Sequence, residues 1–264
     1  MSTTLLPLFL SLLPTSAGAT PPPAPPELAL QDPKPDKRED VKEQIATLEA
    51  HLKKRGDEDQ EAVGVIGQLH QVFPDCGPKD RASIAKALGK VLGTKRKPDD
   101  EGNYDNSMFR PAAVALGDMG PESVKVLIAA IDGKTQRENL PLVRELILAL
   151  GRTRDLDGTK TLGDMLKSKD AILQGAAAEA IGQFHEVELD VRKDLFEEML
   201  KQLMAVKGRV DSDGNDTEAS NRYEVIRGPI LTSLQALSGQ SISDPDEWQR
   251  WWNKNKKEDW DAEA

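Results

Sequence analysis

One short phrase recurs along the chain and restricts its fold more than any other feature. An alanine precedes leucine or isoleucine and then glycine in "KALG" ending at Gly89, "VALG" at Gly117, "LALG" at Gly151 and "EAIG" at Gly182. "QALSG" at Gly239 repeats it with one extra residue. The aliphatic anchors Leu88, Leu116, Leu150, Ile181 and Leu237 are 28, 34, 31 and 56 residues apart. A period of a little over ~30 residues is the length of a helical hairpin repeat.

The phrases also match upstream, where "FRPAAVALG" aligns with "VRELILALG" and "QGAAAEAIG". Alanine lets neighbouring helices approach closely, while the Leu or Ile fills the space between them. The glycine suits a left-handed residue that ends a helix. A further helix follows each phrase, as in "PESVKVLIAAIDG" and "ELDVRKDLFEEMLKQL". Aromatics make up only 4 % of the chain, and β-branched runs are rare, which favours helix over sheet. The spacing therefore predicts an all-α fold of paired helices: 41–54 with 58–73, 78–93 with 105–117, 121–132 with 138–151, 157–167 with 170–183, and 189–206 with 218–238. The 28-residue gap leaves no room for a whole extra hairpin around "TKRKPDDEGNYDN", so the first two pairs are expected to be irregular.

These phrases, the helix that follows them and the period resemble HEAT repeats of the kind also called PBS-lyase-like. The likeness covers roughly residues 78–239, preceded by a divergent pair. Val143-Arg144 matches the family's "VR" pair and Phe109-Arg110 nearly does, whereas Gln174-Gly175 and Ile230-Leu231 depart from it. The resemblance implies an α-solenoid of about five HEAT-like hairpins in a right-handed superhelix, with the second helix of each pair lining a concave face. Arg144, Glu145, Gln174 and Glu179 would lie on that face and could touch a partner, although Arg110 and Arg144 also fit a structural role in the repeat signature.

All four tryptophans, Trp248, Trp251, Trp252 and Trp260, lie in the last 17 residues. A row of stacked repeats exposes an apolar face at each end, and terminal elements must cover it. Asp244 is a good N-cap, Pro245 suits a first turn, and Trp248, Trp251 and Trp252 share one helical face at i, i+3, i+4. Gln249, Arg250, Asn253 and Lys254 form the opposite, polar face. Residues 240–264 thus read as a capping helix and tail, similar to the closing segment of exported bacterial HEAT-repeat proteins. Two rival readings are an interfacial membrane contact aided by Lys256 and Lys257, and a docking hot spot.

At the other end, "MSTTLLPLFLSLLPTSAGA" has a short apolar stretch and closes on Ala17-Gly18-Ala19, a small-x-small cleavage signature. It carries no charged side chain. Residues 1–19 therefore read as a secretory signal peptide, residues 20–40 as a proline-rich disordered linker, and residues 41–239 as the repeat domain. The expected location is periplasmic or extracellular, with no stable membrane insertion after cleavage.

The chain carries 45 acidic against 35 basic residues, a net charge of −10, which excludes general nucleic-acid binding. Cys76 is the one cysteine, and His51, His70 and His185 stand apart from any ligand motif. "DSDGNDTE" at 211–218 offers Asp211, Asp213 and Asn215 at calcium-loop positions, but Asp216 replaces the required glycine and Arg222 the bidentate glutamate. It reads instead as an acidic, flexible insertion that accounts for the 56-residue spacing. No GxSxG, HExxH, P-loop or dinucleotide fingerprint is present, and pairs such as Glu197-Glu198 and Asp99-Asp100 sit in solvated charge-rich stretches. No catalytic residue, cofactor or metal is expected. The leading reading is a non-catalytic protein–protein interaction scaffold; the alternatives are a lyase-type enzyme or enzyme accessory, and a structural component of an envelope assembly.

Overall fold

The structure, a computed structural model, describes residues 34–262. The expected signal peptide and most of the expected linker lie outside the described residues. Among those described there is no strand; the chain folds into eleven α-helices joined by turns and short 3-10 segments. They are α1 (Glu39–Leu52), α2 (Asp59–Val72), α3 (Pro78–Leu92), α4 (Phe109–Asp118), α5 (Val124–Asp132), α6 (Leu140–Arg152), α7 (Thr159–Met165), α8 (Ala171–Ile181), α9 (Leu189–Ser212), α10 (Thr217–Ser238) and α11 (Pro245–Asn255).

The helix starts follow from local chemistry. Asn139, Asp170, Asp216 and Asp244 cap α6, α8, α10 and α11, each side chain accepting from a backbone N–H of the first turn. Such a cap satisfies donors that the helix itself leaves free. Pro121 does not open an α-helix as expected. It lies in a 3-10 turn, Gly120–Ser123, that precedes α5, and a similar turn at Leu156–Gly158 shortens α7.

Neighbouring helices pack in pairs: α1 with α2, α3 with α4, α5 with α6, α7 with α8, and α9 with α10. The second member of each pair also packs on the next, so α2, α4, α6, α8 and α10 form a continuous row. The first row is less even, with α1 on α3 and α3 on α5. This arrangement is compatible with a helical solenoid. Alanines occupy the contacts of the second row: Ala112, Ala113, Ala115, Ala149, Ala176, Ala177, Ala178 and Ala180 are all buried.

The glycines of the repeated phrase do a different job from the one expected. Only Gly239, at φ +71°, takes the left-handed conformation and ends its helix. At Gly89, Gly151 and Gly182 a β-carbon would collide with the neighbouring helix, whereas at Gly117 it would meet only the movable guanidinium of Arg152. At Gly151 it would fall 2.6 Å from the Ala180 Cα, at Gly89 2.7 Å from a Val126 methyl, and at Gly182 2.5 Å from the Ser233 hydroxyl. These glycines are points of close approach between repeats. Gly89 also differs in place, since it lies in α3 of the first row and faces α5, while Gly117 and Gly151 lie in α4 and α6 of the second. That change of row explains the short first interval.

The acidic stretch at 211–218 is not a flexible insertion. α9 runs on to Ser212 and α10 begins at Thr217, so the last interval is long because two helices of 24 and 22 residues fill it. Asp211 pairs with Lys207 and Asp216 with Arg209, which draws these carboxylates onto cations of α9.

The end of the expected linker is pinned. Gly77 N donates to Pro35 O at 2.8 Å, Lys79 N donates to Asp36 Oδ1 at 2.9 Å, and Arg38 N donates to Asp80 Oδ2 at 3.0 Å. Asp36 thereby caps α3 from outside, since Gly77 has no side chain to do so. The irregular stretch between α3 and α4 is tied down as well. Arg96 grips Asp59 through two nitrogens at 2.9 and 2.7 Å. Asn106 and Asn139 exchange amide hydrogen bonds at 3.1 and 2.7 Å, and buried Gln136 donates to Leu92 O and Thr94 O.

Candidate functional site

Two features stand out: the exposed face of the second row and the aromatic end. On the row, charged side chains form a ladder across three helices. Arg110 of α4 meets Glu145 of α6 at 3.3 Å, Arg144 meets Glu145 at 3.5 Å, and Arg144 reaches Glu179 of α8 at 3.6 Å. Three of the four expected contact residues thus belong to one group. The fourth does not. Gln174 is only 2 % exposed, and its side-chain oxygen accepts from Arg222 at 3.0 Å. Arg222 also donates to Ser168 O and Lys169 O, so Gln174 helps lock α10 to the turn before α8 and presents nothing to a partner. In the aligned phrases Gln174 stands where Phe109 and Val143 stand, both buried, and Arg222, the sixth residue of α10, supplies the donor its amide oxygen needs there.

The same row carries most of the exposed bulky apolar side chains. Val114, Leu140, Ile172 and Val225 are each 40–56 % exposed, one on each of α4, α6, α8 and α10. Beside Leu140, a cleft of about 500 Å³ is lined by Tyr104, Asn106, Arg110, Glu138 and Pro141. Ion pairs this exposed contribute little to stability, in the range of about 0–1 kcal/mol each. Their alternation with isolated apolar groups makes a mixed surface of the composition found at non-obligate interfaces.

At the C-terminal end α11 packs on α9. Trp248 and Trp252 are buried, and Trp251 and Trp260 are half-buried. All four indoles surround Phe196 of α9, with ring centroids 5.4, 5.6, 5.1 and 5.4 Å away in chain order. Two clamps flank the cluster. Lys207 of α9 bridges Asp211 and Asp246 at 2.5 and 3.1 Å, and both carboxylates hold its ammonium well above its ordinary pKa. Arg192 binds Asp261 in the tail. Sequence reasoning missed Phe196, Arg192 and Trp260 as members of this group. Phe196 is one apolar residue of a long amphipathic helix, and "NKNKKED" separates Trp260 from any periodic relation to the other indoles.

Ordinary contacts occupy the remaining candidates. His51 bonds Glu58 at 2.8 Å, His70 lies 3.4 Å from Asp118, and His185 lies 3.3 Å from Gly182 O. Cys76 is buried beside Val72 O, and burial pushes its thiol pKa up, away from the reactive thiolate. Among the described residues no group of three or more side chains is placed to ligate a metal, and no helix is long and apolar enough to cross a membrane. Compared with family models, curated proteins and solved structures, the chain shows no significant match to any.

Proposed function

We propose that the chain is a non-catalytic binding scaffold: a short right-handed α-solenoid of five HEAT-like hairpins, closed by α11, that holds a protein partner along its second row. The supporting observation is the row itself. Four helices in succession, α4, α6, α8 and α10, present the Arg110–Glu145–Arg144–Glu179 ladder and the exposed side chains of Val114, Leu140, Ile172 and Val225. Rigid helices hold these groups at fixed spacing, so a partner meets a preorganised surface and little ordering cost opposes binding. The resemblance of the repeat phrases to HEAT units, and of the tail to the closing segment of exported bacterial members, supports a place in the periplasm or outside the cell.

Photo-crosslinking tests this reading. A crosslinking residue is introduced at Val114, Ile172 or Val225, and as a control at Lys160 of α7, in cells that make the protein. The expected result is one protein captured from all three row positions and not from Lys160. Capture that is equal at all four positions, or absent from the row, overturns it.

A further inference from the structure

Beyond α11 the chain turns back and lays its tail on a prepared surface. Trp260 sits against Phe196, Trp251 and Trp252 with centroid separations of 5.4, 5.1 and 6.1 Å. Lys193 Nζ lies 5.5 Å over the Trp260 ring and donates to Glu258 O at 2.6 Å. Arg192 is only 9 % exposed; it donates to Leu237 O at 3.2 Å and to the Asp261 carboxylate. Its Nε is buried without a partner. The receiving side is therefore largely buried and cationic, whereas Asp261 is more than half exposed and joined to the fold by a short run after α11. A buried guanidinium needs a counter-charge, and here an exposed residue near the chain end supplies it.

We propose that this platform of Arg192, Lys193, Phe196, Trp251 and Trp252 is a peptide-binding site. The chain's own Glu258-Asp259-Trp260-Asp261 segment fills it in cis, and an aromatic–acidic segment of a partner protein takes its place in trans. The cis occupant displays the chemistry the site selects: an indole for the aromatic floor and the cation of Lys193, and a carboxylate one residue on for Arg192. Because the tail is tethered, its effective concentration is on the order of millimolar, and an external ligand must outcompete it. The inference rests on the reading of the chain as a protein-binding scaffold, but it concerns a surface separate from the second row.

The test uses the full chain and a labelled, end-blocked peptide of sequence Glu-Asp-Trp-Asp-Ala, read by fluorescence anisotropy. The expected result is at least tenfold tighter binding to the Trp260→Ala/Asp261→Ala variant than to the wild type, and no binding of a peptide with alanine in place of Trp. If the double variant loses its helical signal, Asp261→Asn alone replaces it and is expected to show a smaller gain in the same direction. Equal binding by wild type and a folded variant overturns the proposal. So do wild-type dimers that the double variant fails to form, since those assign the site to tail exchange between copies. Crosslinks along the second row that persist while the peptide fails would leave the scaffold reading standing and remove only this one.

Discussion

The ring of Phe196 lies stacked on the indole of Trp252, centroids 5.1 Å apart and planes inclined by 26°. Phe196 is fully buried, and its ring centroid lies within 5.6 Å of the ring centroids of all four indoles. Phe196→Ala is therefore expected to cost about 3–5 kcal/mol, the range for deleting a buried aromatic ring. Trp251 is half-buried, and Trp251→Ala is expected to cost less, about 2 kcal/mol, by area removed from water. Urea unfolding followed by tryptophan fluorescence gives both values. An order reversed from this would mean that α11 is held by its rim and not by its aromatic centre.

Two glycine-to-alanine changes should move stability in opposite directions. Gly151→Ala places a methyl 2.6 Å from the Ala180 Cα, and overpacking of this kind costs about 1–3 kcal/mol. Gly67 is exposed inside α2 with nothing near its β-position, so Gly67→Ala should stabilise by about 0.5–1 kcal/mol. Thermal melts of the two variants beside the wild type check the pair.

Arg222→Ala should destabilise more than Arg144→Ala. Removing Arg222 leaves the oxygen of buried Gln174 without its donor, at a cost of about 1–3 kcal/mol. Removing Arg144 breaks only exposed ion pairs, at about 1 kcal/mol or less. Adding Gln174→Leu to Arg222→Ala should recover part of the loss, because the stranded amide is then gone. Chemical denaturation of the three variants tests this.

The pH dependence of the α9–α10 turn has a definite sign. The Ala219 N–H, aided by the Arg209 guanidinium, holds the Asp216 carboxyl below the usual carboxylate range. A depressed pKa in the folded state contributes stability that is present above the ordinary value of about 3.9 and is lost as pH falls through the lower, folded value. The gap in melting temperature between wild type and Asp216→Ala should thus be widest near neutral pH and narrow progressively below about pH 4. A gap that does not change with pH would contradict the assignment.

Much of the helical layout was legible because it rests on local signals. The apolar spacing within each Ala-Leu-Gly phrase, the cap at Asp244, and the i, i+3, i+4 indoles all act within a few residues, and α3, α6, α8 and α10 fall close to the ranges read from such signals. The misreadings share a cause. Gly151 and Gly182 look like helix stops because sequence shows only their own helix, while the constraint on them comes from Ala180 and Ser233 across the interface. Gln174 was read as exposed because its side chain is polar, although it shares the register of buried Phe109 and Val143; the donor that satisfies it, Arg222, lies 48 residues away.

The same holds at the two ends. Nothing local marks Asp36 as the cap of a helix that begins at Pro78, or Asp261 as the counter-charge of Arg192. The acidic run at 211–218 was misjudged for a related reason. Its charge suggests solvation, but Lys207 and Arg209 one or two turns earlier neutralise it and let α9 continue to Ser212.

The central claim is that the second helices of successive hairpins stand side by side in a single row. Spin labels placed in pairs test it most directly, with one label fixed at Val114 of α4 and the other at Leu148 of α6, Glu179 of α8 or Thr232 of α10. Packed helix axes lie 8–10 Å apart, so the measured separation should grow by roughly 9 Å with each helix. An α4–α10 distance no longer than the α4–α6 distance would contradict the row and with it the scaffold built upon it.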